Sequence, residues 1–360
     1  MQYSQLSSRR HQVKDAVDAT NLFYEKGWTD GLPIVAPTED RVAEMLDGAG
    51  LGPGEVVGVF VQRRLQIAAE KIAINAVMAG CLPSYMPVVV AAVKALLHHD
   101  FGLHGVLATT GGTALMVLVN GPVTRRLKLN CGLNCLGPGN RANATIGRAV
   151  ELIARNLCGR SPGILERAVF GSAAKYTFCF AEDETDERWD PVHVQRGFSR
   201  DSSAVTVFPA SGSGLLISDL NSTTPEELLM SVARKMRSVH ISRFGRSFQV
   251  VLIGPEALDT LAGHGWTKEH VKNFLFEKAT WSVAELKTPP RLSRTVEIDG
   301  IDLTTPIQPG DERLHYSIVA EPDAILIVAA GAVGQRMMMV VPSSAEYKVE
   351  SAAVTMPVAV

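Results

Sequence analysis

The stretch GVLATTGGTALMVLVN, residues 105–120, carries two short apolar runs on either side of a Thr-Thr-Gly-Gly-Thr segment. Runs of this length around paired glycines predict two strands, 105–109 and 114–120, joined by a tight turn. Gly121-Pro122 ends the second run. Working upstream, a strand is expected at 56–61, then an Ala/Ile-rich helix over about 66–79. A further helix enters through Pro83 and Pro87 and ends near His99. Before these, a helix is expected over 11–26. Thr38 is a good N-cap, with Glu39 and Asp40 in the first turn of the helix that follows.

Downstream, a Gly/Cys/Asn-rich loop, 130–141, leads into a helix from Ala142 to Cys158. The second half predicts strands at 176–181 and 204–208, with an acidic loop, 182–190, between them. Thr224-Pro225-Glu226-Glu227 opens a helix with proline in its first turn. A strand at 248–253 runs into a helix from Pro255 to Gly263, and Thr267 caps another that reaches Lys278. Residues 288–323 read as irregular, and 325–329 as a last buried strand before Gly331 and Gly334. The alternation predicts an α/β or α+β fold of two sheet-containing halves, 1–159 and 160–360, with helices packed on them.

Composition excludes several function classes. The chain has 360 residues, of which 46% are hydrophobic and 20% charged, so it can bury a large core without disulfides or metal. A net charge of −2 offers no global field for nucleic acid or an anionic membrane. The pairs Arg9-Arg10, Arg63-Arg64 and Arg125-Arg126 lie apart from any aromatic cluster that could stack bases. The longest apolar window, 86–97, is broken by Lys94 and is too short to span a membrane. The N-terminus lacks an apolar signal core, and five cysteines without framework spacing fit a reducing compartment, so a cytoplasmic location is expected.

No cofactor motif survives inspection. In GAGLGPG, residues 48–54, the third glycine of either dinucleotide frame falls on Pro53 or Glu55, and the stretch follows a helix rather than a strand. Gly-Lys, CxxC and HExxH are all absent. The expectation is therefore no cofactor and no metal. His98-His99-Asp100 with His104 matches a metal set only loosely.

Three constellations carry chemistry. The first is Asn130-Cys131-Gly-Leu-Asn134-Cys135-Leu-Gly137-Pro-Gly139-Asn140-Arg141-Ala-Asn143. Gly137 and Gly139 beside a helix start let backbone N–H groups approach an anion, with Asn140 and Asn143 close by. Arg141 at the positive end of that helix is disfavoured by roughly 0.3–1 kcal/mol unless an anion compensates or the side chain turns away to another partner. Cys135 precedes the helix, where a thiolate is stabilised. It reads as a nucleophile, a metal ligand or an inert thiol, and a bent loop could join it to Cys131. Cys81, Cys158 and Cys179 have apolar neighbours and read as core. Arg148, Glu151 and Arg155 form a helical ladder expected on a solvated face.

The second constellation lies in helix 66–79, which is apolar almost all round and expected to be buried. Lys71 and Asn75 share one face, with Glu70 adjacent. A buried lysine must be paired or lose its proton easily, which suits a general base; a structural Glu70–Lys71 pair is the alternative. The third is the strand from Lys175 to Glu182, with ionisable residues at both ends and a solvated acidic loop beyond. Thr110, Gly111 and Gly112 offer hydroxyl and backbone contacts to a substrate, with His104 near them in sequence.

The runs EKIAINAVMAGC (70–81), HGVLATTGG (104–112), GPGNRANATIGRA (137–149), KYTFCFAE (175–182) and VLIGPEALDTLAGHGWTKEHVKNFLFEKA (251–279) together cover most of the chain. In these the chain resembles a bacterial family of largely uncharacterised proteins encoded beside small proteins with a UGSC motif. That resemblance implies a small partner subunit. Where the family has a glycine-rich turn followed by polar residues, this chain has Gly334-Gln-Arg-Met337-Met338-Met339, a departure that marks a specialised member. The resemblance extends to the large subunit of a two-subunit aziridine-forming enzyme of antibiotic biosynthesis.

These readings combine into a cofactor-independent lyase or cyclase acting on a small anionic substrate, free or carrier-bound, by polar displacement or elimination. Aziridine closure with loss of sulfate or phosphate is one such reaction. The loop 137–143 would hold the anion, and Lys71 or Lys175, with Glu70, would serve as base or electrostatic stabiliser. The alternatives are a thiol-redox or soft-metal protein centred on Cys135, and a non-catalytic scaffold subunit.

Overall fold

The computed structural model describes residues 6–238, 247–288, 296–346 and 353–359. Its central element is the strand Thr113–Asn120, buried at every position. Successive side chains of a strand point to opposite faces. Leu115, Val117 and Val119 therefore enter one hydrophobic core, and Ala114, Met116 and Leu118 enter a second. An unbroken apolar run is what a strand covered on both faces requires.

The main sheet has eight strands. Its path runs Ile325–Ala329, Ser247–Ile253, Met337–Glu346, Ala204–Ser211, Thr113–Asn120, Cys179–Ala181. Leu215–Ser218 also pairs with Met337–Glu346, and Val354–Pro357 with Ala204–Ser211. Two neighbouring pairs are parallel, Ile325–Ala329 with Ser247–Ile253 and Thr113–Asn120 with Cys179–Ala181. The fold is thus mixed α/β. The helices Glu39–Ala49, Ala69–Ala79, Met86–Leu97 and Arg141–Asn156 fill the core on one face. The helices Pro225–Arg237, Pro255–Gly263 and Lys268–Lys278 fill the other. Thr113–Asn120 sits between strands that follow residue 160, so one sheet spans that position and the two halves of the chain mainly supply its two faces.

Several elements match the sequence expectation to the residue, among them Pro255–Gly263, Lys268–Lys278 and Ile325–Ala329. Thr267 caps its helix by accepting from the His270 N–H. The expected strand at 105–109 is instead the helix Leu103–Leu107. Gly102 in the left-handed region, φ 58°, starts it, and Leu103, Val106 and Leu107 are buried at helical spacing. The helix expected from 66 begins at Ala69, because Leu65–Ala68 is held as a strand against Val56–Phe60. Residues 289–295 of the irregular segment lie outside the described residues. The rest forms short pairs, Glu297–Ile298 with Ile301–Asp302 and His315–Ser317 with Thr280–Ser282. Among the described residues no single helix is long and apolar enough to cross a membrane.

Candidate functional site

A pocket of about 770 Å³ lies between the helix Ala69–Ala79 and the N-terminal segment 6–13. Its apolar wall includes Phe23, Trp28, Val42, Ile74 and Met78. Glu70 is buried on the helix and anchors the segment: its Oε2 accepts from the Ser7 N–H at 3.0 Å and Ser7 Oγ at 2.9 Å, and its Oε1 from the Ser8 N–H at 2.9 Å. Burial alone would raise this carboxyl; the hydrogen bonds from Ser8 and Ser7 outweigh it and hold Glu70 below the ordinary carboxylate value.

Lys71 is exposed, not buried, because it lies one position around the helix from Glu70 and Ile72 and faces the pocket mouth. Its Nζ donates to Ser8 Oγ at 2.8 Å. Glu70 therefore holds Ser7 and Ser8, and Lys71 holds Ser8, rather than each other. Asn75 is buried at the pocket wall. It donates to Lys71 O at 2.9 Å and accepts from Asn156 Nδ2 at 2.7 Å, which also donates to Trp28 O at 2.9 Å. The segment 6–13 lies along the pocket as a strap, and its Arg10 pairs with Glu39. Among the described residues Lys71 and Arg9 form no ion pair, although the carboxylates of Glu70 and Glu39 line the same pocket.

A second pocket, about 610 Å³, is built by the loops 132–137 and 330–335 and by Met337–Met339. Backbone bonds stitch its base. Asn130 O accepts from the Ala181 N–H at 3.3 Å, Ala329 O from the Asp183 N–H at 2.8 Å, and Cys131 O from the Gly331 N–H at 2.8 Å. Cys135 lines the pocket and is 8% exposed. Burial pushes its thiol up, and the N–H groups of Cys135, Leu136 and Gly331 only partly offset this. The expected thiolate is thus not favoured by the helix, which starts six residues later behind its own cap. Cys131 is also raised, by burial and then by Asp183. All five cysteines are free, and burial raises Cys81 and Cys158 to about 12.

At 137–143, where an anion was expected, the asparagine side chains bond the chain itself. Asn140 Oδ1 accepts from the Asn143 N–H at 3.0 Å, and its amide donates to Lys128 O at 2.8 Å. Asn143 accepts from the Asn130 N–H at 2.9 Å and donates to Asn130 O at 2.9 Å and Cys135 O at 3.0 Å. Arg141 turns back to cap the helix Ala69–Ala79, donating to Gly80 O at 3.2 and 3.0 Å. A cation is favoured at that carboxyl end, which resolves the unfavourable placement read from sequence. A Cβ on Gly137 would strike the Asn134 side chain, and Gly139 holds φ +125°. Both glycines serve the turn.

Lys175 lines neither pocket. It contacts Glu166, which Arg160 also holds at 3.0 Å; Arg160 reaches Glu151 at 2.6 Å and Thr113 O. Burial first, and then the Arg160 charge, lowers Lys175. The ladder of Arg148 and Glu151 is accordingly not a solvated face: Glu151 is buried, and Arg148 forms a two-point contact with Asp30 at 2.8 and 2.9 Å. Thr110 O accepts from the Val169 N–H at 3.0 Å, Gly111 donates to Thr109 Oγ1 at 3.1 Å, and Gly112 lies tight against Gly171. His104 is exposed, its ring 6.3 Å from that of Phe60. His98, His99 and Asp100 stand together at the surface.

Sequence reading missed one cluster. Glu182, expected as the ionisable end of a strand beside an acidic loop, is buried and accepts from Lys268 Nζ at 2.6 Å, Asn120 Nδ2 at 2.7 Å and the Val192 N–H at 2.7 Å. Glu184 accepts from Asn120 Nδ2 at 2.9 Å and lies 3.9 Å from the fully buried His193. The available signal was a polar residue ending each of two apolar strands, Asn120 and Glu182, which the sheet makes parallel neighbours. No protein-family model matches this chain, and no curated protein matches it either.

Proposed function

We propose that the strap-covered pocket is the active site of an enzyme that binds a small anionic substrate with an apolar arm and performs a polar displacement, working with a small partner subunit. The observation that carries this reading is Lys71, a cation without a carboxylate partner among the described residues, at the mouth of a largely apolar pocket of about 770 Å³. Such a pocket with a few convergent polar groups is the usual form of a small-molecule site. The apolar wall of Phe23, Trp28 and Met78 seats the arm, and Lys71 with Arg9 holds the anionic head.

For an amino alcohol sulfate or phosphate ester, the amine nitrogen attacks the carbon that bears the ester oxygen. The C–N bond closes the three-membered ring as the C–O bond breaks, and its electron pair leaves on the sulfate or phosphate. Lys71 stabilises that departing charge, as an electrostatic donor must where charge develops. His11 of the strap, its ring 5.7 Å from Trp28, is the group on the same wall that takes the ammonium proton.

Calorimetric titration with 2-amino-3-phenylpropyl sulfate tests the assignment. Binding is expected, weakened at least tenfold in Lys71→Met and retained in Lys71→Arg. Equal affinity in Lys71→Met, or no binding by the wild-type chain, contradicts it.

A further inference from the structure

Three metal-ligating side chains meet outside both pockets. His98, His99 and Asp100 each place one donor atom within 4.8 Å of the other two. His99 Nε2 lies 2.9 Å from Asp100 Oδ1, and His98 Nδ1 lies 3.5 Å from Asp100 Oδ2. The two imidazole rings lie side by side, with centroids 4.4 Å apart and planes 34° from each other. His104, grouped with them in sequence, is not among the three. The backbone that carries the cluster is fixed from both sides. His98 ends the helix Met86–Leu97, which is largely buried, and Phe101 of the following turn is fully buried. Gly102, in the left-handed region at φ 58°, then starts the helix Leu103–Leu107.

We propose that this turn binds one divalent transition-metal ion of the zinc class through His98, His99 and Asp100. Imidazole nitrogen and carboxylate oxygen are ordinary zinc ligands, at about 2.0–2.2 Å. Two such ligands at the tetrahedral angle stand roughly 3.4 Å apart, and the two distances to the carboxylate fall on either side of that value. Small ring rotations therefore bring the donors onto one ion. His98 Nδ1 already turns its lone pair to this side, accepting from the Asp100 N–H at 3.3 Å, a long bond that gives way to the ion. The position favours a cation as well. The three residues follow the carboxyl end of a twelve-residue helix, whose dipole attracts positive charge. Lys94 in the last turn of that helix is exposed, where solvent screens it. The side chains of His99 and Asp100 are 84% and 63% exposed, so the ion keeps water in its remaining positions and no charge is buried. Because Phe101 anchors the turn beforehand, binding has little backbone to order. Calcium and magnesium demand more oxygen ligands than one carboxylate supplies.

The test is a titration of the untagged, reduced full-length chain with Zn²⁺ in competition with a coloured zinc chelator. One ion per chain is expected to leave the chelator. His99→Gln and Asp100→Asn should each weaken the transfer at least tenfold with an unchanged unfolding temperature, since both side chains are exposed. Co²⁺ in place of zinc should give a visible d–d spectrum without the intense thiolate-to-cobalt absorption of the near ultraviolet, which separates this site from the free cysteines. No transfer to the wild-type chain, unchanged affinity in either variant, or a thiolate-to-cobalt band overturns the assignment.

Discussion

The strap pocket and the loop pocket built by 132–137 and 330–335 differ in what makes their walls. The first is made of helix side chains, and its polar groups are gripped by a segment laid across them: Glu70 and Lys71 hold Ser7 and Ser8. The second is made of loop backbone at the carboxyl ends of the parallel strands Ser247–Ile253 and Ile325–Ala329, and it lacks charged lining residues. Crevices beyond the carboxyl ends of parallel strands are common ligand sites, because loops there are free to vary while the strands stay fixed. The contrast teaches that charge and shape are divided between two places in this molecule. One pocket has cations in its lining, and the lining of the other carries no charged side chain.

The largest expected effect belongs to neither pocket and serves as a control. Arg160→Met leaves the buried Glu151 without its cation, and breaking such a pair typically costs about 3–5 kcal/mol. The denaturant midpoint should fall accordingly, while sulfate-ester binding persists wherever the variant is folded. Next comes Asn143→Ala, which removes three hydrogen bonds that staple the loop behind Cys135. Leaving buried backbone groups unsatisfied costs roughly 1–3 kcal/mol. Sulfate-ester binding should be kept, and its loss would collapse the distinction between the pockets.

Glu70 gives the comparison a pH axis. Its carboxyl is lowered in the folded chain, so the strap's anchorage is fully present above the ordinary glutamate value of about 4.3 and is lost as pH falls through the lowered one. Glu70→Gln should loosen residues 6–13 already at neutral pH, and trypsin should cut after Arg10 several-fold faster than in the wild type. An unchanged cleavage rate would mean that Glu70 is not the anchor. The smallest effect is expected from Arg141→Ala. Removing a cation from the carboxyl end of the helix Ala69–Ala79 costs about 0.3–1 kcal/mol and should leave sulfate-ester affinity unaltered.

Legibility in the sequence followed the range of the interactions. Strands with an unbroken apolar run and helices with Pro or Thr at their start were readable, as Thr113–Asn120, Pro255–Gly263 and Lys268–Lys278 show, because their signals are local. The segment 105–109 misled, since its burial at helical spacing depends on packing rather than on the glycines that follow. Glu70, Lys71 and Asn75 were legible as a group needing explanation, but their partners Ser7 and Asn156 lie more than sixty residues away. Arg141 gave a true warning about a helix end; its solution, the Gly80 carbonyl, is also tertiary. The cluster of Asn120, Glu182, Glu184, His193 and Lys268 was hidden because only the sheet makes the first two neighbours.

Hydrogen–deuterium exchange, with and without 2-amino-3-phenylpropyl sulfate, tests the strap pocket as the substrate site most directly. The account predicts added protection in residues 6–13 and 69–79 and none in 132–137. Protection confined to 132–137 and 330–335 would contradict it.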